Sequence, residues 1–204
     1  MRSMGSRAGL AGLVMALATL ASAASASATP AFQPAGTAFT ATSTGEQVFA
    51  INANVKWRCD HAVLTGTTAN PASDTVSVSA AYGDMAAAGK WCRLYVGGVF
   101  SAATVTPSGW SLSVASYSAP NWAGAITMGG GMAITFAGCT ITMVNGTVLP
   151  ISGVNIGWPV GSQFIASAGG IHYTSSGCAG FGIPASGTTM TYSGTFDVPG
   201  LYVN

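Results

Sequence analysis

Charge is what this sequence has least of. Asp, Glu, Lys and Arg make up 5% of its 204 residues, against roughly 25% in ordinary globular domains. The six cations include Arg2 and Arg7 near the start. Without those two, Lys56, Arg58, Lys90 and Arg93 stand against Glu46, Asp60, Asp74, Asp84 and Asp197, a formal charge of −1. No cluster of cations is large enough to neutralise several phosphates, so nucleic acid is excluded as a partner. A chain this close to neutrality favours association over dispersal, and self-association is expected.

Catalytic and metal-binding patterns are also missing. There is no G-x-S-x-G elbow, no H-E-x-x-H, no phosphate loop followed by Lys and no calcium loop. Asp60-His61 lacks a nucleophile context and reads as a polar strand end, and His172 reads as a surface histidine between Ile171 and Tyr173. Hydrolysis of a glycoside would need two carboxylates facing one cleft, and the Asp residues lie far apart near turns. No two of Cys59, Cys92, Cys139 and Cys178 fall within a C-x₂₋₄-C spacing, which removes the usual zinc arrangements. No catalytic residue, cofactor or metal ligand is assigned, and the chain is not expected to be an enzyme.

Long apolar runs are absent except at the start. Arg2 and Arg7 precede the run Ala8 to Leu20, and Ala26-Ser27-Ala28 offers the A-x-A pattern of signal-peptide cleavage. The run is short and Ala-rich, below the roughly 20 strongly apolar residues of a spanning helix. Residues 1–28 are therefore predicted to be a signal peptide, with a secreted chain beginning near Thr29. In an exported chain an even number of cysteines implies disulfides. Three pairings are open, and Cys59–Cys92 with Cys139–Cys178 is favoured by a faint internal repeat. Gly66-Thr67 follows Cys59, and Gly146-Thr147 follows Cys139, at the same distance, and each half has a second cysteine downstream.

What the sequence has in abundance is alternation. Phe49, Ile51, Ala53, Val55, Trp57 and Cys59 share one parity and predict a single half-buried strand. Val76 to Tyr82, Trp110 to Val114 and Met190 to Val198 alternate in the same way. Between Phe136 and Cys139 the phase changes, and Gly138 predicts a glycine bulge. Turn signals fall at Asn70-Pro71, Tyr82-Gly83-Asp84, Pro107-Ser108-Gly109, Asn145-Gly146, Gly169-Gly170 and Pro199-Gly200. No amphipathic helix is visible after residue 28. The pattern predicts an all-β fold, an antiparallel β-sandwich of one domain over 29–204 with two intradomain disulfides. An outer-membrane β-barrel is the alternative; the shortness of the strands and the missing aromatic girdles argue against it.

Residues 29–47 read as an N-terminal extension. Pro30 and Pro34 keep its start out of a sheet, and Phe39 and Ala41 share a face, so this segment could add to a neighbouring subunit's sheet edge and build a fibre. The competing assignment is that Gly36 to Thr44 is the first strand of its own domain, or a disordered tail. Among the aromatics, Trp57 and Trp110 belong to apolar strand faces and Trp91 adjoins Cys92. Trp122, in a Pro-Asn-Trp-Ala-Gly segment, is the expected exposed contact. Asn145-Gly146-Thr147 matches a glycosylation acceptor but reads first as a hairpin turn.

The leader, Cys59 with Gly66-Thr67, Cys92, the Phe136-Ala137-Gly138-Cys139 run and Cys178 together resemble the bacterial protein activator of alkane oxidation family. That resemblance implies a small, exported, four-cysteine β-rich protein of the cell surface or biofilm matrix, and it supplies no catalytic residue. The expected function is thus a secreted structural protein of that surface or matrix, a fibre subunit assembling by strand addition among its forms. An extracellular module that binds carbohydrate or hydrocarbon through exposed aromatics is the second expectation.

Overall fold

A computed structural model describes residues 29–83, 91–157 and 160–204. The predicted signal peptide lies outside the described residues, as do Asp84, Lys90, Trp158 and Pro159. Among the described residues, seventeen strands and one 3₁₀ turn (Ala179–Phe181) make up the regular structure. The strands are β1 (Phe32–Gln33), β2 (Ala38–Ser43), β3 (Gln47–Asn52), β4 (Val55–Cys59), β5 (Ala62–Thr67), β6 (Thr75–Tyr82), β7 (Cys92–Val96), β8 (Val99–Ala102) and β9 (Thr104–Pro107). They continue with β10 (Trp110–Ser118), β11 (Asn121–Met128), β12 (Met132–Phe136), β13 (Cys139–Met143), β14 (Thr147–Gly157), β15 (Gly161–Ser176), β16 (Ser186–Pro199) and β17 (Tyr202–Val203).

Every strand pairing is antiparallel, as alternation with short turns requires. The facing layers are one sheet joined at both sides. Following neighbours from β6 through β10, β11, β14, β15, β16, β2 and β5 returns to β6, a closed ring of eight strands. Inward positions of this ring are filled by Leu64, Leu112, Ile126, Leu149, Phe164 and Phe196, all buried. Outward positions are mostly Ser and Thr. The long strands β15 and β16 then leave the ring and carry a second region. There β3, β4, β7 and β8 extend from β16, and β13, β12 and β9 extend from β15. Trp57, Phe136, Ile134, Ile141, Met143 and Tyr173 fill that second interior, continuous with the first.

Several local expectations change. The run read as one strand from Phe49 to Cys59 is a hairpin, because Asn52 Oδ1 accepts hydrogen bonds from the backbone N–H groups of Asn54 and Val55. Ala53 sits in that turn, exposed. The phase change before Cys139 is a two-residue hairpin turn, with Phe136 opposite Cys139. Ala137 and Gly138 both have positive φ, 41° and 80°, the backbone that such a turn demands. Gly169-Gly170 is no turn: β15 runs through it, and the register against β16 slips there, from Ala168 opposite Tyr192 to Ile171 opposite Met190. This bulge is what lets one strand serve both regions. Asn145-Gly146 forms a tight turn but not a hairpin, since β13 pairs with β12 and β15 while β14 pairs with β11 and β15.

The disulfides are Cys59–Cys92 and Cys139–Cys178. Cys59 and Cys92 are directly opposed on β4 and β7. The glycines of the faint repeat do different jobs, however. Gly66 lies in β5 opposite Phe39, where a Cβ would sit 3.0 Å from the phenyl ring. Gly146 is a turn residue with φ of 79°.

Residues 29–47 are not an extension. β2 pairs with β5 and β16, Phe39 and Ala41 are buried in the chain's own core, and Phe32 is buried against Trp122. The donor-strand role expected for Phe39 and Ala41 is therefore withdrawn: their hydrogen-bond partners and apolar contacts are all supplied in cis.

Candidate ligand-binding face

Trp122, expected to be the exposed aromatic, is only 4% exposed. β10 continues to Ser118 and β11 begins at Asn121, so Trp122 is a strand residue facing inward. Gly153 opposes it on β14, and a Cβ there would come within 2.0 Å of the indole. That missing side chain makes the room for the ring, which packs edge-on to Phe32 and Phe164.

Among the described residues the exposed tryptophan is Trp91, 45% accessible. It precedes β7, whose inward residues are Cys92 and Leu94. Trp91, Arg93 and Tyr95 therefore share the outward parity, spaced by about 6.7 Å per pair of residues. On β4 the outward residues are Lys56 and Arg58, with Asp60 just beyond the strand. Register places Lys56 opposite Tyr95 and Arg58 opposite Arg93, and the Asp60 N–H donates to the Trp91 carbonyl at 2.9 Å. Two strands thus present a ladder of Asp60 with Trp91, Arg58 with Arg93, and Lys56 with Tyr95.

Directly opposed like charges normally destabilise a sheet. Here each guanidinium has a local carboxylate: Arg58 pairs with Glu46 at 3.1 Å and Arg93 with Asp60 at 2.5 Å. The Arg58 guanidinium also lies 5.2 Å from the Tyr95 ring centre, and the Lys56 ammonium 5.9 Å. These cation–π contacts hold the long side chains down over the sheet. The Nε atoms of both arginines are buried and lack a hydrogen-bond partner among the described residues. Seven charged side chains are described after residue 28, and Glu46, Lys56, Arg58, Asp60 and Arg93 gather here. Only Asp74 and Asp197 lie elsewhere. In so weakly charged a chain this concentration is the most pronounced chemical feature of the surface.

A second concavity, about 950 Å³, opens where β6 changes partners. β6 pairs with β10 over Thr75–Val78 and with β9 only at Tyr82. Thr40, Thr65, Thr67, Ser77, Ser79, Ser108 and Ser111 line the resulting cleft, with no charged group. It offers neutral hydroxyls and nothing that could polarise a bond. His61 is half-buried beside Asp60, and His172 is exposed on β15, far along the chain from any acid. Among the described residues no group of three or more His, Cys, Asp or Glu side chains could hold a metal ion.

Between the two regions lies a buried polar cluster. Tyr192 donates a 2.6 Å hydrogen bond to Oε1 of Gln47, which is fully buried, and the Tyr82 and Tyr192 hydroxyls are 3.3 Å apart. Gly194 makes space for it, since a Cβ would fall 1.7 Å from Gln47 Oε1. Burial pushes both tyrosine hydroxyls well above their usual range. Enclosed by the core on all sides, the cluster is structural.

The charged ladder is legible in the sequence, on the parity opposite to the apolar one. The alternation that marks Cys92 and Leu94 as inward also marks Trp91, Arg93 and Tyr95 as outward, and the same holds for Lys56, Arg58 and Asp60. No family model matches the chain, and neither the curated proteins nor the solved structures contain a significant match to it.

Proposed function

We propose that this chain is a secreted, non-catalytic protein of the cell surface or extracellular matrix, and that the outward face of β4 and β7 is its contact surface. The carrying observation is the gathering of five charged residues with Trp91 on that one face. The two disulfides support an oxidising compartment. Outward ring positions rich in Ser and Thr hydroxyls, with Val148 and Ile165 exposed among them, suit a hydrated, weakly charged matrix. The same outward hydroxyls are the reverse of the apolar band a lipid-facing barrel presents. A family likeness to the protein activator of alkane oxidation group agrees with this setting.

Self-association belongs to the same reading. The large sheet has one strand with a single neighbour among the described residues, β8, and strand addition between copies would use that edge now that Phe39 and Ala41 are committed internally. The reading is tested by fractionating cells that express a tagged wild type beside the double variant Lys56→Gln, Trp91→Ala. Wild type is expected in the surface or matrix fraction with its leader removed, and the variant free in the medium. A cytosolic protein, or equal retention of both forms, overturns it. Negative-stain microscopy of the purified secreted protein shows whether copies form fibres.

A further inference from the structure

We infer that the β4–β7 face binds an acidic polysaccharide, with Trp91 stacking on a sugar ring and the Lys56, Arg58 and Arg93 side chains holding the polymer's carboxylate or sulfate groups. The inference rests on the contact-surface reading above and names its ligand class.

The sign of the charge comes first. Three cations meet two carboxylates on this face, and both carboxylates lie at one end of it: Glu46 precedes β3 and Asp60 follows β4, and the antiparallel pairing of Gln47 with Cys59 sets those two strand ends side by side. Arg58 and Arg93 each hold one of those carboxylates, and Lys56 stands at the other end of the ladder, opposite Tyr95. Among the described residues the Lys56 ammonium has no carboxylate within ion-pair distance; its contact is the Tyr95 ring. An anion arriving here meets guanidinium and ammonium groups already laid flat, so little side-chain freedom remains to be lost on binding.

The shape of the ligand follows from the spacing. Trp91 stands one outward position from Arg93, about 6.7 Å along the strand. It offers a broad apolar face with a polar edge, suited to a partner with apolar C–H faces and polar edges. A pyranose ring is such a partner, and an acid group on the same or the next ring reaches Arg93. A repeating polymer adds successive acid groups along the strand and gains avidity from them. Three cations, two of them already paired, are too few for duplex DNA or for the four to eight basic residues that anchor a protein on anionic lipid.

The test is native affinity electrophoresis of the secreted protein in gels containing polygalacturonate, with fully methyl-esterified polygalacturonate as the same sugar without charge. Retardation is expected in the acid form alone, weakening as NaCl rises from about 50 to about 300 mM. Trp91→Ala is expected to weaken binding about tenfold and Lys56→Gln about threefold. Both residues are outward, and circular dichroism checks that both variants fold. Equal retardation by the ester form overturns the inference, as do absence of retardation and retardation that both variants keep. Equal, variant-sensitive binding to phosphatidylglycerol vesicles makes the face a membrane contact instead. Self-association without polymer that the variants abolish, seen by sedimentation, makes it a contact between copies. Variants that lose polygalacturonate yet stay on the cell separate the two proposals: the ligand class stands and the contact-surface reading falls. Wild type that is retained by the cell, when the variants are not, but ignores polygalacturonate leaves the contact surface standing and overturns the ligand class.

Discussion

The eight-stranded ring and the β3–β4–β7–β8 wing follow the same alternation, yet they are held together by different means. Each ring strand has a neighbour on both sides, so its main-chain groups are paired without any covalent help. The wing extends from β16 and ends at β8, which has one neighbour among the described residues. Both disulfides lie outside the ring: Cys59–Cys92 crosses the wing, and Cys139–Cys178 ties β13 to the chain just past β15. Cys59–Cys92 stands where closure of the sheet does not reach, whereas β13 is also closed through β12 and β9 onto β6. The proposed contact face lies on the wing as well, where a covalent brace keeps a charge ladder in register.

The comparison can be broken most forcefully at its core. Trp122→Ala should cost about 3–5 kcal/mol, because it removes a buried indole from the ring interior and Gly153 cannot fill the space. Urea unfolding measures this, and a loss below about 1 kcal/mol would mean that the indole is not packed as described. Replacing Cys59 and Cys92 together with Ala should cost roughly 4 kcal/mol in the chain-entropy picture, with 33 residues separating them. The difference between regions appears in hydrogen exchange: amides of β4, β7 and β8 should lose protection while those of β11 and β14 keep theirs. Equal loss in both would dissolve the distinction.

Alkali sharpens the comparison at the seam. Tyr82 and Tyr192 have folded pKa values raised above the ordinary 10.0. Their contribution is intact below pH 10 and is lost as pH rises further, since the unfolded chain then gives up two protons that the folded one retains. The slope approaches about 2.7 kcal/mol per pH unit when both tyrosines ionise only on unfolding. Absorbance at the tyrosinate band should therefore rise for these two groups together with unfolding, and titration of all tyrosines in a folded protein would refute it. The smallest effect belongs to the face: Asp60→Asn, which leaves Arg93 without its partly exposed partner, should cost only about 0.2–1 kcal/mol. A larger loss by thermal unfolding would make the ladder a structural element rather than a contact surface.

Much of this architecture is legible in the residues. Alternation carries the all-β class and the inward sets of β6, β10 and β16, and an even set of four cysteines behind an expected leader carries the disulfides. Parity does not encode what happens where a strand ends, so the Asn52 turn is hidden inside a regular run, and the Gly169-Gly170 bulge looks like a turn. Trp122 reads as exposed because the partner that accommodates it, Gly153, is about thirty residues distant and carries no side chain to signal its role. Phe39 misleads for the same reason, its counterpart being Gly66. Trp91 is visible, but its meaning depends on β4 lying alongside β7, a pairing that no local pattern announces.

The first and last described strands carry a mechanical consequence. β1 and β17 form a separate ribbon only two residues long, closed by reciprocal hydrogen bonds between Ala31 and Asn204 and clasped by the Asn155 side chain on Val203. Tension applied across Ala31 and Asn204 meets these bonds one after another, in the peeling direction, before it reaches the ring. The chain is thus a poor rope and a good brick: force passes safely through its broad faces and unravels it when drawn through its ends.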